Sequence, residues 1–365
     1  MLDLEKIINK RLENLTPYNA GMPVEQLAKT YKIDKFLVLS SNESSFGISL
    51  KAKSLYPELI KSISSYPVSD SFYLRKAIGE KLEIDMDNIV CGSGSDDIIQ
   101  LLYIAFLNSS NHALSPSPSF SEYDALAKNV HSYCRWVDTN NDFSFNFDKI
   151  LKSINDKTAM VMLSNPNNPT GTMFLYDEFE TFMEKVPNSL LVVLDEAYIE
   201  FTDVDLKYSA SLLKKYNNIV ILRTFSKAYG LAGLRCGYLI GSKNIVDLIN
   251  SIRPPFNLNS IAQSMAEASF LDDDFLPYVR KKVNESKSFM EKSLDEKDIE
   301  YIKSFTNFML IKTYNGIEIS KKLEKESILV CPLGLGILKD YIRVTIGTYY
   351  EMEFFINKLK KILDK

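Results

Sequence analysis

Between residues 89 and 250, short apolar segments alternate with amphipathic segments of helical period. The apolar segments predict strands at Ile89–Cys91, His112–Ser115, Ser132–Val137, Ala159–Ser164, Leu190–Asp195, Ile219–Thr224 and Cys236–Gly241. The amphipathic segments predict helices at Asp96–Leu107, Ser121–Asn129, Phe147–Ile154, Asp177–Lys185 and Asn244–Ile252. This alternation is typical of α/β proteins in which helices cover both faces of a mostly parallel sheet. Because ligands of such sheets bind beyond the carboxyl ends of the strands, the residues that follow each strand are the first candidates for a functional site.

The chain has 365 residues, which suits a large domain with a smaller one rather than a single core. After about residue 270 the pattern changes to a long charged helix followed by mixed strands and helices, which indicates an α+β unit. We expect the large domain to cover 36–265. The small domain is expected to combine 266–365 with 1–35, the latter as an N-terminal arm and a helix.

Composition narrows the range of partners. The net charge is -4 and the basic residues are dispersed, so no basic stripe indicates a nucleic-acid partner. The longest apolar runs have strand length, so no membrane span is expected. Two histidines are too few for a zinc site built on His, and no metal is expected. The four cysteines form no CxxC pair and three lie in apolar runs, which predicts buried free thiols and fits a reducing cytoplasm.

Two polar segments follow predicted strands in the middle of the sheet. LLVVLDEAY brings a buried strand to an end on Asp195, which either caps a turn or pairs with a cationic ligand, because an unpaired buried acid is costly. SNPNNPTG, at 164–171, forms a turn and presents Asn167 and Asn168 at the crevice. A chance turn explains the Asn and Pro cluster, but not easily its position at the same edge as Asp195.

Two further segments supply an amine and an anion site. RTFSKAYGLAGLRCG places Lys227 just after a strand, as either an ordinary loop lysine or a desolvated amine nucleophile. VCGSGSDDIIQLL leads a strand through a glycine turn into a helix, whose first N–H groups can bind an anion. This segment is neither a P-loop nor a complete dinucleotide motif, and Ser95 or Asp96 could simply cap the helix.

The four segments are expected to meet at one edge of the sheet. They supply an amine, a carboxylate, a neutral amide and an anion cradle, namely Lys227, Asp195, Asn168 and the group Gly94 to Asp96, Thr224, Ser226 and Arg235. Such a set suits a cofactor that has an aldehyde, a pyridine nitrogen, a phenolic oxygen and a phosphate.

With these motifs in place, the chain resembles the fold-type I aminotransferases that use pyridoxal 5'-phosphate (PLP), and most of all the histidinol-phosphate aminotransferases. The resemblance covers essentially the whole chain and also rests on LTPYNAG, LSSNESSFG, SYPVSDSFYLRKAIG, RPPFNLNSIAQ, TNFMLIK and YIRVTIGT. It implies the aspartate aminotransferase-like fold. It also implies transfer of an amino group from an amino acid such as glutamate to a phosphorylated or carboxylated carbonyl compound.

The resemblance implies a role for each matching residue around the cofactor. Lys227 would hold PLP as a Schiff base and shuttle the proton of the reaction, and Asp195 would keep the ring nitrogen protonated. Asn168 and Tyr198 would bind the phenolic oxygen, and Phe120 would stack on the ring. The residues implied for the phosphate are Ser95, Asp96, Thr224, Ser226 and Arg235.

Further residues are implied for the substrate and for a partner subunit. Tyr18 and Asn42 would line the substrate side, and Arg343 would bind the anionic group of the substrate. A buried salt bridge is the alternative for Arg343, because an arginine inside a strand must find an anion if it is buried. Tyr66 would reach the phosphate bound in the neighbouring subunit, so a homodimer with shared active sites is expected.

The chain departs from the family pattern at the substrate end. Cys331 stands where the resemblance places a second arginine beside Arg343, and Phe120 replaces a frequent tyrosine. Losing one charge-assisted contact costs on the order of 1.5–3 kcal/mol, so a phosphomonoester should bind less well here. Histidinol phosphate, a three-carbon phosphate and an α-amino acid held by its carboxylate, including an aromatic one, therefore stay open as substrates.

Two other functions also stay open. A PLP-dependent decarboxylase of phosphoserine or phosphothreonine would share the fold and nearly all of the cofactor contacts, although YIRVTIGT and RPPFNLNS favour transamination. A non-catalytic PLP-fold regulator would usually lack the lysine or carry a DNA-binding domain, and this chain shows neither feature.

Overall fold

The structure is a computed structural model that describes residues 22–334 and 336–363. A seven-stranded sheet has the order β2-β8-β7-β6-β5-β3-β4, and a five-stranded sheet has the order β1-β11-β12-β10-β9. The strands β1 to β12 are, in chain order, Leu37–Leu39, Ile89–Gly92, His112–Ser117, Cys134–Asp138, Thr158–Ser164, Leu191–Asp195, Ile219–Thr224, Gly237–Gly241, Tyr301–Ile302, Phe308–Lys312, Ile328–Pro332 and Tyr341–Thr345.

Helices pack against both sheets. They span Val24–Tyr31, Leu50–Leu59, Phe72–Leu82, Ser95–Phe106, Glu122–Asn129, Phe147–Ser153, Tyr176–Met183, Leu206–Ser211, Lys243–Ile252, Ser260–Phe270, Phe275–Asp295, Gly316–Lys325 and Tyr349–Leu363. No helix within the described residues is both long and apolar enough to cross a bilayer.

The large sheet is mostly parallel, as the alternation of segments predicts. Strands β4, β3, β5, β6 and β7 pair in parallel, whereas β8 runs antiparallel to both β7 and β2. The ends of β5, β6 and β7 therefore lie at one edge, where Ser164 pairs with Asp195 and Thr224 pairs with Gly237. Since β2 runs parallel to β7, the turn after β2 reaches the same edge.

The centre of the large sheet is covered on both faces. Strands β6 and β7 are buried at every position, which explains their unbroken Val, Ile and Leu runs. One core cluster includes Phe179 and Tyr238, and the cluster on the opposite face includes Leu102 and Tyr123. Burying a large apolar side chain stabilises the fold by roughly 1.5–3 kcal/mol, so these layers hold the strand ends in place.

The five-stranded sheet forms the second core with the helices Phe275–Asp295 and Tyr349–Leu363. Its strand β1 lies inside the range predicted for the large domain, yet it pairs with β11 through Leu37 and Ile328. The chain therefore contributes one strand to the small sheet before it enters the large one. Strand β1 was not predicted, because three residues are too few to show a period.

Candidate active site

A cavity of about 390 Å³ lies at the carboxyl-terminal edge of the large sheet, facing the small sheet. Its lining includes twelve residues predicted from the sequence: Asn42, Ser95, Asp96, Phe120, Asn168, Asp195, Tyr198, Thr224, Ser226, Lys227, Arg235 and Arg343. Ser40, Ser41, Ser164, Ala197 and Cys331 complete it. Because the edge of the large sheet faces the small sheet, the cavity brings together predicted residues that are up to 301 positions apart in the chain, from Asn42 to Arg343.

Asp195 is a buried acid without a basic partner. Its side chain accepts hydrogen bonds from the Tyr123 hydroxyl at 2.7 Å and from the Ala197 backbone N–H at 3.1 Å, and no ion pair to it occurs in 22–334 or 336–363. Burial raises the pKa of Asp195 to about 6, even though the bonds from Tyr123 and Ala197 lower it. A cation placed in the cavity would therefore stabilise the ionised carboxylate.

Lys227 follows β7 and projects into the same cavity. Its Nζ donates to the Ser41 carbonyl oxygen at 3.1 Å and lies 5.7 Å from the centre of the Tyr198 ring. No acidic side chain within the described residues forms an ion pair with Lys227, so its amine is held by one neutral acceptor. This environment differs from that of a surface lysine, which was the alternative from sequence.

The turn after β2 builds an anion cradle. Gly94 is the N-cap of the helix Ser95–Phe106 and has a φ of 90°, and a Cβ there would come 2.6 Å from Arg235 Nη2. Ser95 is thus the first helical residue rather than the cap. The first N–H groups of a helix have no intrahelical acceptor, so those of Ser95 and Asp96 are available to a phosphate.

Arg235 completes the cradle from the other side. Its guanidinium donates to Ser226 Oγ at 3.3 Å and to Asp96 Oδ2 at 3.2 Å. Both partners of the Arg235–Asp96 pair are almost half exposed, and such pairs contribute only about 0–1 kcal/mol. The guanidinium can therefore turn to a phosphate at little cost.

Tyr198 and Asn168 present donors towards the middle of the cavity. The Tyr198 hydroxyl accepts a bond from Asn42 Nδ2 at 3.0 Å, which leaves its own hydrogen free to point elsewhere. Asn168 Oδ1 accepts a bond from Arg343 Nη1 at 2.6 Å, so its amide N–H₂ is the part left to donate. Two donors are thus available to an acceptor in the cavity, such as a phenolic oxygen.

Asn167 does not reach the cavity, contrary to the prediction that it is presented beside Asn168. It is 1% exposed, and its Nδ2 donates to the Pro118 carbonyl oxygen at 2.9 Å and to Thr170 Oγ1 at 2.8 Å. Its amide fixes the turn by satisfying backbone and side-chain groups within it. Alternation along the turn sends one asparagine inwards and the other into the cavity.

Arg343 lies on β12 on the small-sheet side of the cavity. Nη2 donates to the Ser40 carbonyl oxygen at 2.8 Å, and the guanidinium lies 5.5 Å from the centre of the Phe308 ring. The hydrogen bonds of the Arg343 guanidinium go to neutral acceptors, so the salt bridge left open from sequence is not formed among the described residues. A guanidinium has five N–H donors, so it can still bind an anion.

Cys331 pairs with Arg343 across the antiparallel strands β11 and β12 and lines the cavity. Directly opposite residues place their side chains on one face of the sheet. Cys91, Cys134 and Cys236 are buried, but Cys331 is only partly so, which corrects the burial expected from its apolar run. The end of β11 opens into the cavity, and this decides the exposure of Cys331.

Two predicted site residues are not in this cavity. Tyr66 is 83% exposed and stacks on Phe256 with ring centres 4.8 Å apart. It therefore stays a prediction that concerns a second subunit. Tyr18 lies outside the described residues.

Tyr123 is a functional residue that the sequence reasoning missed. It lies in the first turn of the helix Glu122–Asn129, is fully buried, and bonds Asp195 directly. Its ring meets that of Phe120 edge-on at 5.4 Å. The spacing of three residues from Phe120 places both on one side of that turn and is the signal that could have found it.

The fold and the site together define a PLP-type transferase architecture, with an amine, an acid and a phosphate cradle at one sheet edge. The family model for class I and II aminotransferases matches residues 34–359. The chain therefore belongs to the class I and II aminotransferase family. The predicted fold, the transaminase class and the use of PLP are confirmed at the level of this family.

Individual relatives agree with this assignment. The chain is 38% identical over 361 residues to histidinol-phosphate aminotransferase 2 of Carboxydothermus hydrogenoformans, covering 98% of this chain and 99% of the relative. It is 34% identical to histidinol-phosphate aminotransferase of Caldicellulosiruptor saccharolyticus, over 96% and 99% of the two chains. The fold matches the crystal structure of histidinol-phosphate aminotransferase from Sinorhizobium meliloti in complex with PLP, with a TM-score of 0.91, 22% identity and 98% coverage of both chains.

Proposed function

We propose that the cavity binds PLP on Lys227 and transfers an amino group between glutamate or a similar donor and an anionic carbonyl compound. Histidinol phosphate is the first substrate to test, because relatives that are 34% and 38% identical over nearly the full length carry that name. An aromatic α-amino acid and a three-carbon phosphate are the next, because Cys331 leaves Arg343 without a neighbouring arginine in the described lining.

The observation that carries the proposal is that the Lys227 amine and the buried Asp195 carboxylate line one cavity, and that neither has an oppositely charged partner among the described residues. Among the described residues, the Lys227 amine bonds a neutral acceptor only, and Asp195 is 4% exposed with two neutral donors. A charged pyridine nitrogen next to Asp195 would supply the missing cation. The positive φ of Gly94 and the first N–H groups of the following helix suit a phosphate at the other end of the same molecule.

The protein groups have separate tasks. PLP, when bound, supplies the aldehyde that takes up the amino group and a ring that accepts the electron pair of the Cα–H bond. Lys227 holds the cofactor and moves the proton, Asp195 keeps the ring nitrogen charged, and Asn168 and Tyr198 donate to the phenolic oxygen. Arg343 orients the substrate by its anionic group, which fixes which bond faces the ring.

The direct test is the half-reaction of the purified holoenzyme. Incubation with glutamate, histidinol phosphate or an aromatic amino acid should convert the bound cofactor to pyridoxamine phosphate, read by absorbance, without release of carbon dioxide. Lys227→Ala should lose at least about 10⁴-fold in rate, because it removes both the nucleophile and the proton carrier. Lys215→Ala, which removes a half-exposed lysine of a surface ion pair, is the matched control. Full turnover by Lys227→Ala would refute the assignment.

We also propose a homodimer in which Tyr66 completes the partner's phosphate site. The segment 50–73, which carries Tyr66, exposes many large apolar side chains, and Phe256 stacks on Tyr66. The exposed apolar residues of this segment are Leu50, Leu55, Tyr56, Ile60, Ile63, Val68, Phe72 and Tyr73. Exposed apolar surface of this kind supports association, and most soluble homo-oligomers are two-fold dimers. A cytoplasmic location fits the buried free thiols.

Mixed dimers test the shared site. A dimer of one Lys227→Ala chain and one Tyr66→Ala chain would keep one site with both Lys227 and the partner-derived Tyr66, so mixing two impaired variants should restore activity. If Tyr66 served its own subunit, both sites of the mixed dimer would be defective and no activity would return. Sedimentation analysis of the unmixed protein gives the oligomeric state independently.

A further inference from the structure

The segment RPPFNLNS, at 253–260, does not line the cavity, but it contacts both the turn after β2 and the segment that carries Tyr66. It follows the helix Lys243–Ile252 and precedes the helix Ser260–Phe270. Asn257 Nδ2 donates to Asp97 Oδ2 at 3.0 Å, and Asn257 Oδ1 accepts from Arg253 Nη1 at 2.7 Å. One amide therefore links an acid on one side to an arginine on the other.

The acid belongs to the phosphate cradle. Asp97 lies in the first turn of the helix whose residues Ser95 and Asp96 line the cavity, and its Oδ2 also accepts the Ser93 backbone N–H at 2.8 Å. A Cβ on Gly92 would come 3.0 Å from the same oxygen, so the carboxylate packs against the end of β2. Asp97 thus fixes the turn that aims the first helical N–H groups into the cavity.

The arginine belongs to the segment that carries Tyr66. Arg253 Nη1 also donates to the Ser69 carbonyl oxygen at 2.9 Å. Phe256 stacks on Tyr66, with an angle of 24° between the rings. Gln263 Nε2, from the next helix, donates to the Val68 carbonyl oxygen at 3.0 Å. The segment and the helix that follows it therefore hold Tyr66 and the backbone that comes after it.

We propose that Asn257 is a positioning residue for cofactor phosphate binding. Through Asp97 it holds the cradle of its own subunit, and through Arg253 it holds the Tyr66 segment that is offered to the partner. The inference rests on the proposed function, since it takes the cradle as a phosphate site and Tyr66 as a partner-site residue. It adds that one residue, Asn257, positions both phosphate-binding elements of the chain, namely the turn after β2 and the segment that carries Tyr66.

Substitutions at Asn257 can remove one of the two hydrogen bonds of its amide or both. Asn257→Asp keeps an oxygen that accepts from Arg253. It replaces the donor Nδ2 with an oxygen, so that two carboxylates face each other at Asp97. Asn257→Leu removes both bonds. Asn250→Ala is the matched control, because Asn250 is exposed and accepts from Arg253 Nε at 3.3 Å without contacting Asp97.

The measurement compares the affinity of the apo-dimer for PLP with its affinity for pyridoxal, which lacks the phosphate, by titrating the absorbance of the Lys227 adduct. Loss of a bond to a charged group corresponds to at least about a tenfold weaker affinity. Asn257→Asp should weaken PLP binding by that factor and leave pyridoxal binding unchanged. Asn250→Ala should change neither. Equal weakening of both ligands by Asn257→Asp, or no weakening of either, would overturn the proposal.

The second arm is tested by a double-variant comparison. If Arg253 acts through Tyr66, then Arg253→Met should weaken PLP binding in the wild-type background but add nothing in a Tyr66→Phe background. Additive losses would overturn this arm. Either failure is separate from failure of the proposed function, because the wild-type enzyme would still produce pyridoxamine phosphate and Lys227→Ala would still be inactive.

Discussion

At the cofactor end of the cavity, Asp195 and Thr224 stand at the ends of neighbouring buried strands of one sheet, whereas at the substrate end Cys331 and Arg343 come from the other sheet. The cofactor end holds a buried acid that forms no ion pair in the part of the chain that the structure describes, and a cradle of backbone N–H groups. The substrate end holds a guanidinium bonded to neutral oxygens of Asn168 and Ser40.

The difference shows which part of the chemistry is fixed and which is adjustable. A carboxylate whose pKa burial raises to about 6 is costly to maintain, and packing on both faces of the large sheet maintains it. The substrate end is formed by the strand pair β11 and β12, where a single substitution can change the side chains that face the substrate. We therefore expect the core to set the cofactor chemistry, and Arg343 and Cys331 to set the specificity for the substrate.

Among the variants considered below, Asp195→Asn, at the cofactor end, should lower activity the most. An asparagine cannot stabilise the charge on the ring nitrogen, so kcat/KM should fall by about 10²–10³-fold, the usual effect of losing one electrostatic contact in an active site. Steady-state transamination with a fixed donor measures this. Asp142→Asn is a suitable control, because Asp142 lies on the surface, and activity retained in Asp195→Asn would show that the ring nitrogen is held in another way.

Relative to the wild type, Asp195→Asn should stabilise the apoprotein above pH 6. The fold raises the pKa of Asp195 from its ordinary value of 3.8 to about 6, so the native state keeps a proton that the unfolded chain releases between these values. The free energy of unfolding of the apoprotein should therefore decrease as the pH rises through this window, by roughly 3 kcal/mol for this group. Urea unfolding at pH 5 and pH 8 covers only the upper part of this window, and it should show a decrease of about 1.4 kcal/mol for this group in the wild type and a smaller one in Asp195→Asn.

Arg343→Gln tests the substrate end. Losing the charged contact to the substrate anion should lower kcat/KM by about 10–10²-fold, with the PLP affinity little changed. Arg135→Gln, at an exposed arginine that bonds the Ser153 carbonyl oxygen, is the control. Arg343 also bonds Asn168, a residue proposed to bind the cofactor. A large loss of PLP affinity in Arg343→Gln would therefore show that the substrate end also supports cofactor binding.

Cys331→Arg sharpens the same end. An arginine opposite Arg343 should improve kcat/KM for phosphomonoester substrates, relative to carboxylate substrates, by about tenfold through one added charged contact. Cys331→Ser has nearly the same size and no charge and should leave the preference unaltered. Unchanged histidinol-phosphate activity in Cys331→Arg would contradict the idea that this position weakens the phosphate site.

Tyr123→Phe should have the smallest effect. The variant removes the hydroxyl that bonds Asp195 and lowers its pKa, so the pKa of Asp195 should rise further. Loss of one such bond is worth about 0.5–1.5 kcal/mol, which corresponds to a weakening of PLP affinity of a few-fold. The affinity should depend on pH over a higher range than in the wild type, and an identical pH profile would exclude this role.

The sequence by itself determined the large sheet and most of the residues that line the cavity at its edge. Continuous apolar runs fixed β6 and β7 as central strands. Asp195 ends β6 and Lys227 comes three residues after β7, so parallel pairing was enough to predict that they lie at the same edge. The predicted and observed bounds of β7 coincide, and those of the other predicted strands and helices between residues 89 and 250 differ by one or two residues.

Only the tertiary structure decided the contacts between distant segments. The Tyr123–Asp195 bond, the exposure of Cys331, the burial of Asn167 and the bonds from Asn257 to Asp97 and Arg253 join residues from separate elements. Local patterns report which face of an element is apolar, but the neighbour of a polar side chain depends on how whole elements pack. The substrate end is built almost entirely from such neighbours, and for that reason it was less predictable than the cofactor end.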